Sequence, residues 1–188
     1  EAVSSIAGQE FPGDIRIFVV DDRSEDATAE IVQQIQGVTV VAGSEAPAGW
    51  TGKMWAVSQG VEAADGAAPD AEYIWLTDAD IAHHPGELAS LVAYSDDRNL
   101  DLNSLMVRLR VDGLWDVLLI PAFVFFFQKL YPFPWVNDPA RKTAAAAGGS
   151  MLVRRSALAR IGGIDAIAGE LIDDCALAQR IKSTGGAI

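Results

Sequence analysis

The chain is poor in cysteine, in basic residues and in long apolar runs. Cys175 is the single cysteine among 188 residues, so no intrachain disulfide can form. That points to a reducing compartment. No nucleophile motif surrounds Cys175, which reads as a packed small residue. Lys and Arg number 14 against 26 Asp and Glu, for a net charge of −12. Such a chain is no nonspecific nucleic-acid binder. No run reaches the roughly 18 apolar residues of a membrane span, and no signal-peptide pattern occurs. The Gly-x₄-Gly-Lys-Ser/Thr spacing is absent, which excludes a Walker A loop. No repeat or linker divides the sequence, so one domain over residues 1–188 is expected.

What is present is apolar and unevenly charged. Half of the residues are hydrophobic, and the mean hydropathy is +0.19. That excludes a disordered chain and leans towards an α/β or membrane-associated protein. Residues 1–100 carry 4 basic and 18 acidic side chains, whereas residues 101–188 carry 10 and 8. The acidic half is suited to a cation. The other half is suited to phosphates or lipid head groups, although ordinary surface variation gives the same contrast.

The most informative stretch is Tyr73-Ile74-Trp75-Leu76-Thr77-Asp78-Ala79-Asp80. Its apolar part reads as a strand covered on both faces, with two carboxylates directly after it. Ligands of open parallel sheets bind beyond the carboxyl ends of strands. Hard carboxylate oxygens suit Mg²⁺ or Mn²⁺, which complete their shell with water and phosphates. Asp78 and Asp80 therefore suggest a metal–diphosphate site, with a solvated loop as the plain alternative. One or two Asp-x-Asp matches arise by chance in about this many residues, so context matters. The context is a second run of the same kind, Ile15-Arg16-Ile17-Phe18-Val19-Val20-Asp21-Asp22.

The remaining elements follow from periodicity and punctuation. Residues 2–7 read as the end of a helix, as though the chain begins inside an element. Ser24 is placed to cap a helix through Ala27, Ile31 and Ile35, ended by Gly37. With Val38–Ala42 as the next strand, this forms a βαβ unit. Gly49 to Lys53 opens a helix near residues 53–64, and Lys53 at its start could receive a phosphate or a uracil-like group. Pro85 suits the first turn of a helix over 85–95. His83 and His84, adjacent on a turn, read as structural or surface residues rather than paired metal ligands. Ser104–Arg110 reads as a strand with Arg108 and Arg110 on one face, facing an anion or covering an edge.

Val117 to Phe127 is eleven apolar residues in a row, followed by Gln128, Lys129, Tyr131 and Trp135. It is too short to span a bilayer and suits either a membrane-interface segment or a buried helix. A small-residue loop over 137–149 leads to a strand at Met151–Val153. Ser156 is placed to cap a short helix, which Gly162 and Gly163 end. Asp173 and Asp174 open a last helix, where carboxylates favour the helix dipole.

Taken in order, Asp21-Asp22, Asp78-x-Asp80 and Asp173-Asp174 resemble the acidic landmarks of family 2-type glycosyltransferases. The stretches GWTGKMWAVSQG (49–60), LTDADIAHHP (76–85), SLMVRLR (104–110), LLIPAFVFFFQKLYPFPWVNDP (118–139), TAAAAGGSMLVRR (143–155) and LIDDCALA (171–178) resemble one subfamily more closely. It is the hopene-associated glycosyltransferases of bacterial hopanoid gene clusters, often called HpnB. The resemblance implies a GT-A (Rossmann-like) α/β fold, a three-layer αβα sandwich with a mostly parallel central sheet.

It also implies roles. Asp21 and Asp22 would contact base and ribose, and Lys53 would help hold the nucleotide. Asp78 would support the nucleotide, and Asp80 the divalent cation. Gly148 and Gly149 would let the backbone approach sugar or acceptor. Asp174 would be the general base, with Asp173 standing where the family has Glu. The donor would be a nucleotide-sugar, most simply a UDP-sugar, and the acceptor a lipid. The place would be the cytoplasmic face of the bacterial inner membrane. The family's first strand, its Gln/Arg-x-x-Arg-Trp element and its membrane segments have no counterpart in these 188 residues, so a fragment is expected.

Overall fold

The computed structural model describes residues 1–188. Fourteen elements follow one another: α1 (Ala2–Ala7), β1 (Ile17–Asp21), α2 (Thr28–Gln33), β2 (Val38–Ala42), α3 (Gly52–Ala67), β3 (Tyr73–Thr77), α4 (Glu87–Arg98), β4 (Leu102–Ser104), α5 (Leu114–Leu130), α6 (Phe133–Val136), β5 (Ser150–Arg154), α7 (Arg155–Arg160), a 3₁₀ turn (Ile164–Ile167) and α8 (Asp173–Ser183). The alternation of strand and helix gives the α/β class.

The sheet is smaller and more mixed than the expected, mostly parallel one. β1 and β2 pair in parallel, as the βαβ reading requires. β3, β5 and β4 form a separate antiparallel sheet with β5 in the middle. β3 is half-buried at every position rather than fully covered, because it lies at an edge.

Alternation along two strands builds the layers. Met151 and Val153 of β5, with Ile74 and Leu76 of β3, face a core completed by Met54, Leu158, Leu177 and Ile181. Leu152, Tyr73 and Trp75 face the other way, onto Leu88 and Leu91 of α4. Helices α3, α7 and α8 thus cover one face, and α4 the other. Ile181, Ala178, Ala157 and Val153 are fully buried. Each large side chain so buried stabilises the fold by about 1.5–3 kcal/mol before its entropy cost.

Several local signals were misread. Ser24 does not cap α2; Asp26 does part of that work, its Oδ1 accepting from Thr28 N at 3.0 Å. Ser156 makes no cap bond, because α7 already starts at Arg155. Pro85 precedes α4, which begins at Glu87. The strand expected over 104–110 stops at Ser104. Arg108 and Arg110 lie beyond it in irregular, exposed chain, so they share no strand face; Arg110 pairs with Asp112.

The apolar run forms α5, and none of its residues is buried. The buried-helix alternative is therefore excluded. Leu114, Trp115, Phe126 and Leu130 are all more than half exposed. With α6, the stretch Leu114–Val136 reaches the length and composition of a membrane span. The continuous helix of 17 residues is about 26 Å long, short of the about 30 Å of a hydrocarbon core.

α3 carries the helix cap that matters most for the site. Thr51 Oγ1 accepts from Met54 N at 3.2 Å. Thr51→Ala should lower stability by about 1 kcal/mol. Urea unfolding at equilibrium checks this; an unchanged midpoint would show that the cap contributes nothing.

Candidate active site

Three chain segments far apart in sequence meet at one ammonium group. Thr51 caps α3 and so fixes the first turn, which carries Lys53. β3 ends at Thr77 and delivers Asp78. α8 begins with Asp173. Lys53 Nζ lies 3.0 Å from Asp78 Oδ1 and 3.1 Å from Asp173 Oδ2. Burial pulls the Lys53 ammonium down, but the hydrogen bonds and charges of Asp78 and Asp173 outweigh it and hold it above its usual value. Lys53 and Asp78 remain partly open to solvent, whereas Asp173 is largely covered.

Asp174, the next residue, is held by backbone. Its Oδ2 accepts from Gly148 N at 2.9 Å, and its Oδ1 from Cys175 N at 2.7 Å. Each oxygen keeps a second lone pair for another donor. Space for a side chain is tight at both glycines beside it. A Cβ on Gly148 would press on Asp174 Oδ2 at 3.3 Å, and one on Gly149 would strike Val107 at 2.8 Å. A cleft opens between these groups. Lys53, Asp78, Asp173 and Gly148 line it, over a floor that includes Met54 and Leu76.

The first acidic pair lies on the neighbouring sheet. Asp21 Oδ1 is buried without a hydrogen-bond partner. An orphaned buried acceptor is costly, and it is the kind of atom a ligand N–H or O–H satisfies. Asp22 reaches the start of α3, where a Cβ on Gly52 would sit 3.8 Å from its Oδ2. Asp80 stands exposed beyond Asp78. No group of three metal-ligating side chains forms.

The structure brings Lys53, Asp78, Asp173 and Gly148 together around one cleft, with Asp174 bound to Gly148 beside it. It leaves Arg108 and Arg110 outside it. His83 is structural rather than a surface residue: its ring is fully buried against Glu87. Cys175 is half-buried, and burial pushes its thiol up. Thr77, Glu87 and Ser150 were missed. The i, i+4 spacing of His83 and Glu87 was the available signal.

A lysine whose folded-state value is raised stabilises the fold below its unfolded value, about 10.4. That contribution is lost as pH rises through the folded value. The stability difference between wild type and Lys53→Met should therefore be present at neutral pH and vanish in strong alkali. Its size should stay under about 1 kcal/mol, because solvent screens the pair. Paired urea melts across the alkaline range measure it; a difference that grows with pH would contradict the sign.

The glycosyl transferase family 2 pattern matches residues 1–162. No curated protein matches the chain. Among solved structures, the mannosyltransferase PcManGT from Pyrobaculum calidifontis, in complex with GDP-Man and Mn²⁺, superposes with a TM-score of 0.65 at 22% identity. The match covers 98% of this chain and 48% of that one, so the chain spans about half the length of that relative. The α/β fold is of the GT-A type, and the chain belongs to glycosyl transferase family 2.

Proposed function

We propose that this chain transfers a sugar from a nucleoside-diphosphate sugar to the hydroxyl of a lipid acceptor, inverting the anomeric centre. The observation that carries the proposal is the Lys53 bridge between Asp78 and Asp173 at the mouth of a cleft, with Asp174 next to it. A UDP-sugar is the first donor to test. GDP-mannose is the second, because the solved mannosyltransferase holds it.

The chain's own groups account for each step. Asp21 Oδ1, buried and unpartnered, accepts from base or ribose, with Asp22 beside it. Lys53 turns its ammonium towards the diphosphate. The acceptor oxygen attacks the anomeric carbon from the face opposite the leaving group. Its new C–O bond forms as the bond to the diphosphate breaks. Asp174 takes the acceptor proton as a general base. One displacement inverts the centre and needs no covalent enzyme intermediate. Gly148 and Gly149 let the backbone turn close against Asp174 and Val107 beside the reacting atoms.

A divalent cation fits this donor set. Mg²⁺ and Mn²⁺ are often held by one or two carboxylates plus substrate phosphates. Asp80, exposed beside the cleft, and Asp78, one oxygen of which lies on Lys53, supply that number. When bound, such an ion would neutralise charge on the departing nucleotide.

The exposed apolar face of α5 favours a membrane surface and hence a lipid acceptor. An unpartnered patch of this size marks an interaction site, and Lys129, Tyr131 and Trp135 at its end suit head groups. Within the hopene-associated resemblance the acceptor would be a hopanoid, at the cytoplasmic face of the inner membrane.

Thermal-shift titrations with UDP, GDP and their sugars test the donor site, each with and without Mn²⁺. One nucleotide should raise the melting temperature in a Mn²⁺-dependent way, and Asp80→Ala should abolish the Mn²⁺-dependent part. A cooperative melt with no shift, together with binding to liposomes, would instead indicate a catalytically silent membrane-docking domain. Asp174→Asn should keep donor affinity within about twofold and reduce transfer by at least about a hundredfold. Transfer within about tenfold of wild type by a donor-saturated Asp174→Asn would remove Asp174 from the role of base.

A further inference from the structure

A largely covered polar chain runs from the core to Thr77 at the wall of the cleft and is not used by the transfer chemistry. Trp75 Nε1 donates to Ser150 Oγ at 3.0 Å, and Ser150 Oγ donates to Glu87 Oε1 at 2.9 Å. His83 Nδ1 lies 2.9 Å from the same Glu87 oxygen. A carboxylate only accepts, so Nδ1 carries the hydrogen. On the far side of the ring, His83 Nε2 lies 2.7 Å from Thr77 Oγ1, which is also 3.0 Å from the Gly149 carbonyl oxygen, so the single hydroxyl hydrogen is shared between those two acceptors. The backbone N–H of His83 donates to Ser5 Oγ at 2.9 Å. The His83 ring is fully buried, packed on Trp75 with centroids 4.5 Å apart.

The two ends of this chain differ in what they touch. The Trp75 end lies in the core under α4. The Thr77 end touches both halves of the site. Thr77 immediately precedes Asp78. Gly149 immediately follows Gly148, whose N–H holds Asp174. The Thr77 hydroxyl therefore joins the segment carrying the donor carboxylate to the loop carrying the base's amide partner, and the His83 imidazole holds that hydroxyl. Satisfied buried networks select one arrangement, because breaking one bond strands its partner.

We infer that His83 is a positioning residue: through Thr77 and Gly149 it sets the separation between Asp78 and Asp174. This rests on the roles proposed above for Asp78 and Asp174. The imidazole touches neither carboxylate and takes no proton from the acceptor. It fixes where the carboxyl end of β3 stands relative to the Gly148–Gly149 turn.

The test compares three substitutions in the whole chain. His83→Gln removes the ring. Thr77→Val removes only the hydroxyl and keeps the strand-favouring shape. Trp75→Phe cuts the network at its core end and keeps a ring on His83. Amide exchange at Gly148, followed by NMR, reads the position of the loop without any ligand. Both His83→Gln and Thr77→Val should speed Gly148 exchange by about tenfold or more. Trp75→Phe should lower the melting temperature yet leave Gly148 exchange at the wild-type rate.

Unchanged exchange in folded Thr77→Val, or an equal change in Trp75→Phe, would overturn the inference. Should His83→Gln fail to fold, Thr77→Val alone decides it. In the same samples, UDP affinity with Mn²⁺ should fall by about tenfold in Thr77→Val, in the range seen when outer-sphere partners are removed. If no nucleotide binds even to wild type while Gly148 exchange follows the expected pattern, the positioning stands and the donor assignment falls.

Discussion

The site depends on how its negative charge is contained. Lys53 Nζ lies about 3 Å from both Asp78 and Asp173, so those carboxylates are no more than about 6 Å apart. Two like charges at that distance repel by roughly 3 kcal/mol at an effective dielectric of 20, and by less where solvent screens them. The ammonium between them reverses the sign of that interaction. It does so only because Thr51 caps α3 and fixes the turn that carries Lys53. A helix cap, a strand end and a helix start are thus joined by one cation. The surrounding chain is acidic, with 18 acidic side chains against 4 basic ones in residues 1–100. The bridge is the local answer to that excess.

The other half of the chain solves a different problem. Helix α5 buries none of its residues and shows Leu, Trp and Phe side chains to the outside. In water such a face is an unpaid hydrophobic cost, at about 25 cal/mol for each Å² left uncovered. The helix is tied to the site by sequence. Tyr131 follows α5 directly, and the Cys175 thiol and the Asp174 carboxylate beside it raise its phenol. An apolar ligand or surface covering α5 would therefore end close to the group proposed as base. Under the function proposed above, that proximity favours a lipid acceptor over a soluble one.

Much of this was legible in the sequence because it rested on patterns with a physical cause. The apolar runs before Asp21 and Asp78 became strand ends. Lys53 at a helix start met Asp173 at another in one cleft, with Asp174 held beside it by Gly148. The failures have causes too. Ser24 and Ser156 are good caps by residue type, but tertiary packing started those helices elsewhere. Val107 to Arg110 alternates as a strand would, yet the ladder to β5 ends at Ser104 and the last bond across is Leu105 N to the Ser150 carbonyl. Periodicity specifies a face and cannot supply a partner. The mixed sheet was unreadable for the same reason, since strand order depends on which edges meet.

The His83 network was hidden by a different limit. Its members lie at positions 75, 77, 83, 87 and 150, and only His83 and Glu87 show a local spacing. The two networks also differ physically. The Lys53 bridge is half-exposed and weak, so incoming phosphates can replace its carboxylates at little cost. The His83 ring is fully buried and its partners are largely covered, so rearranging that chain strands a polar group. They meet at the Gly148–Gly149 turn: one residue holds Asp174, and the other is held by Thr77. An exchangeable cation on a fixed frame lets donor binding redistribute charge while the carboxylates keep their places. Preorganisation of that kind is where transferases that develop charge on a leaving group gain most of their rate.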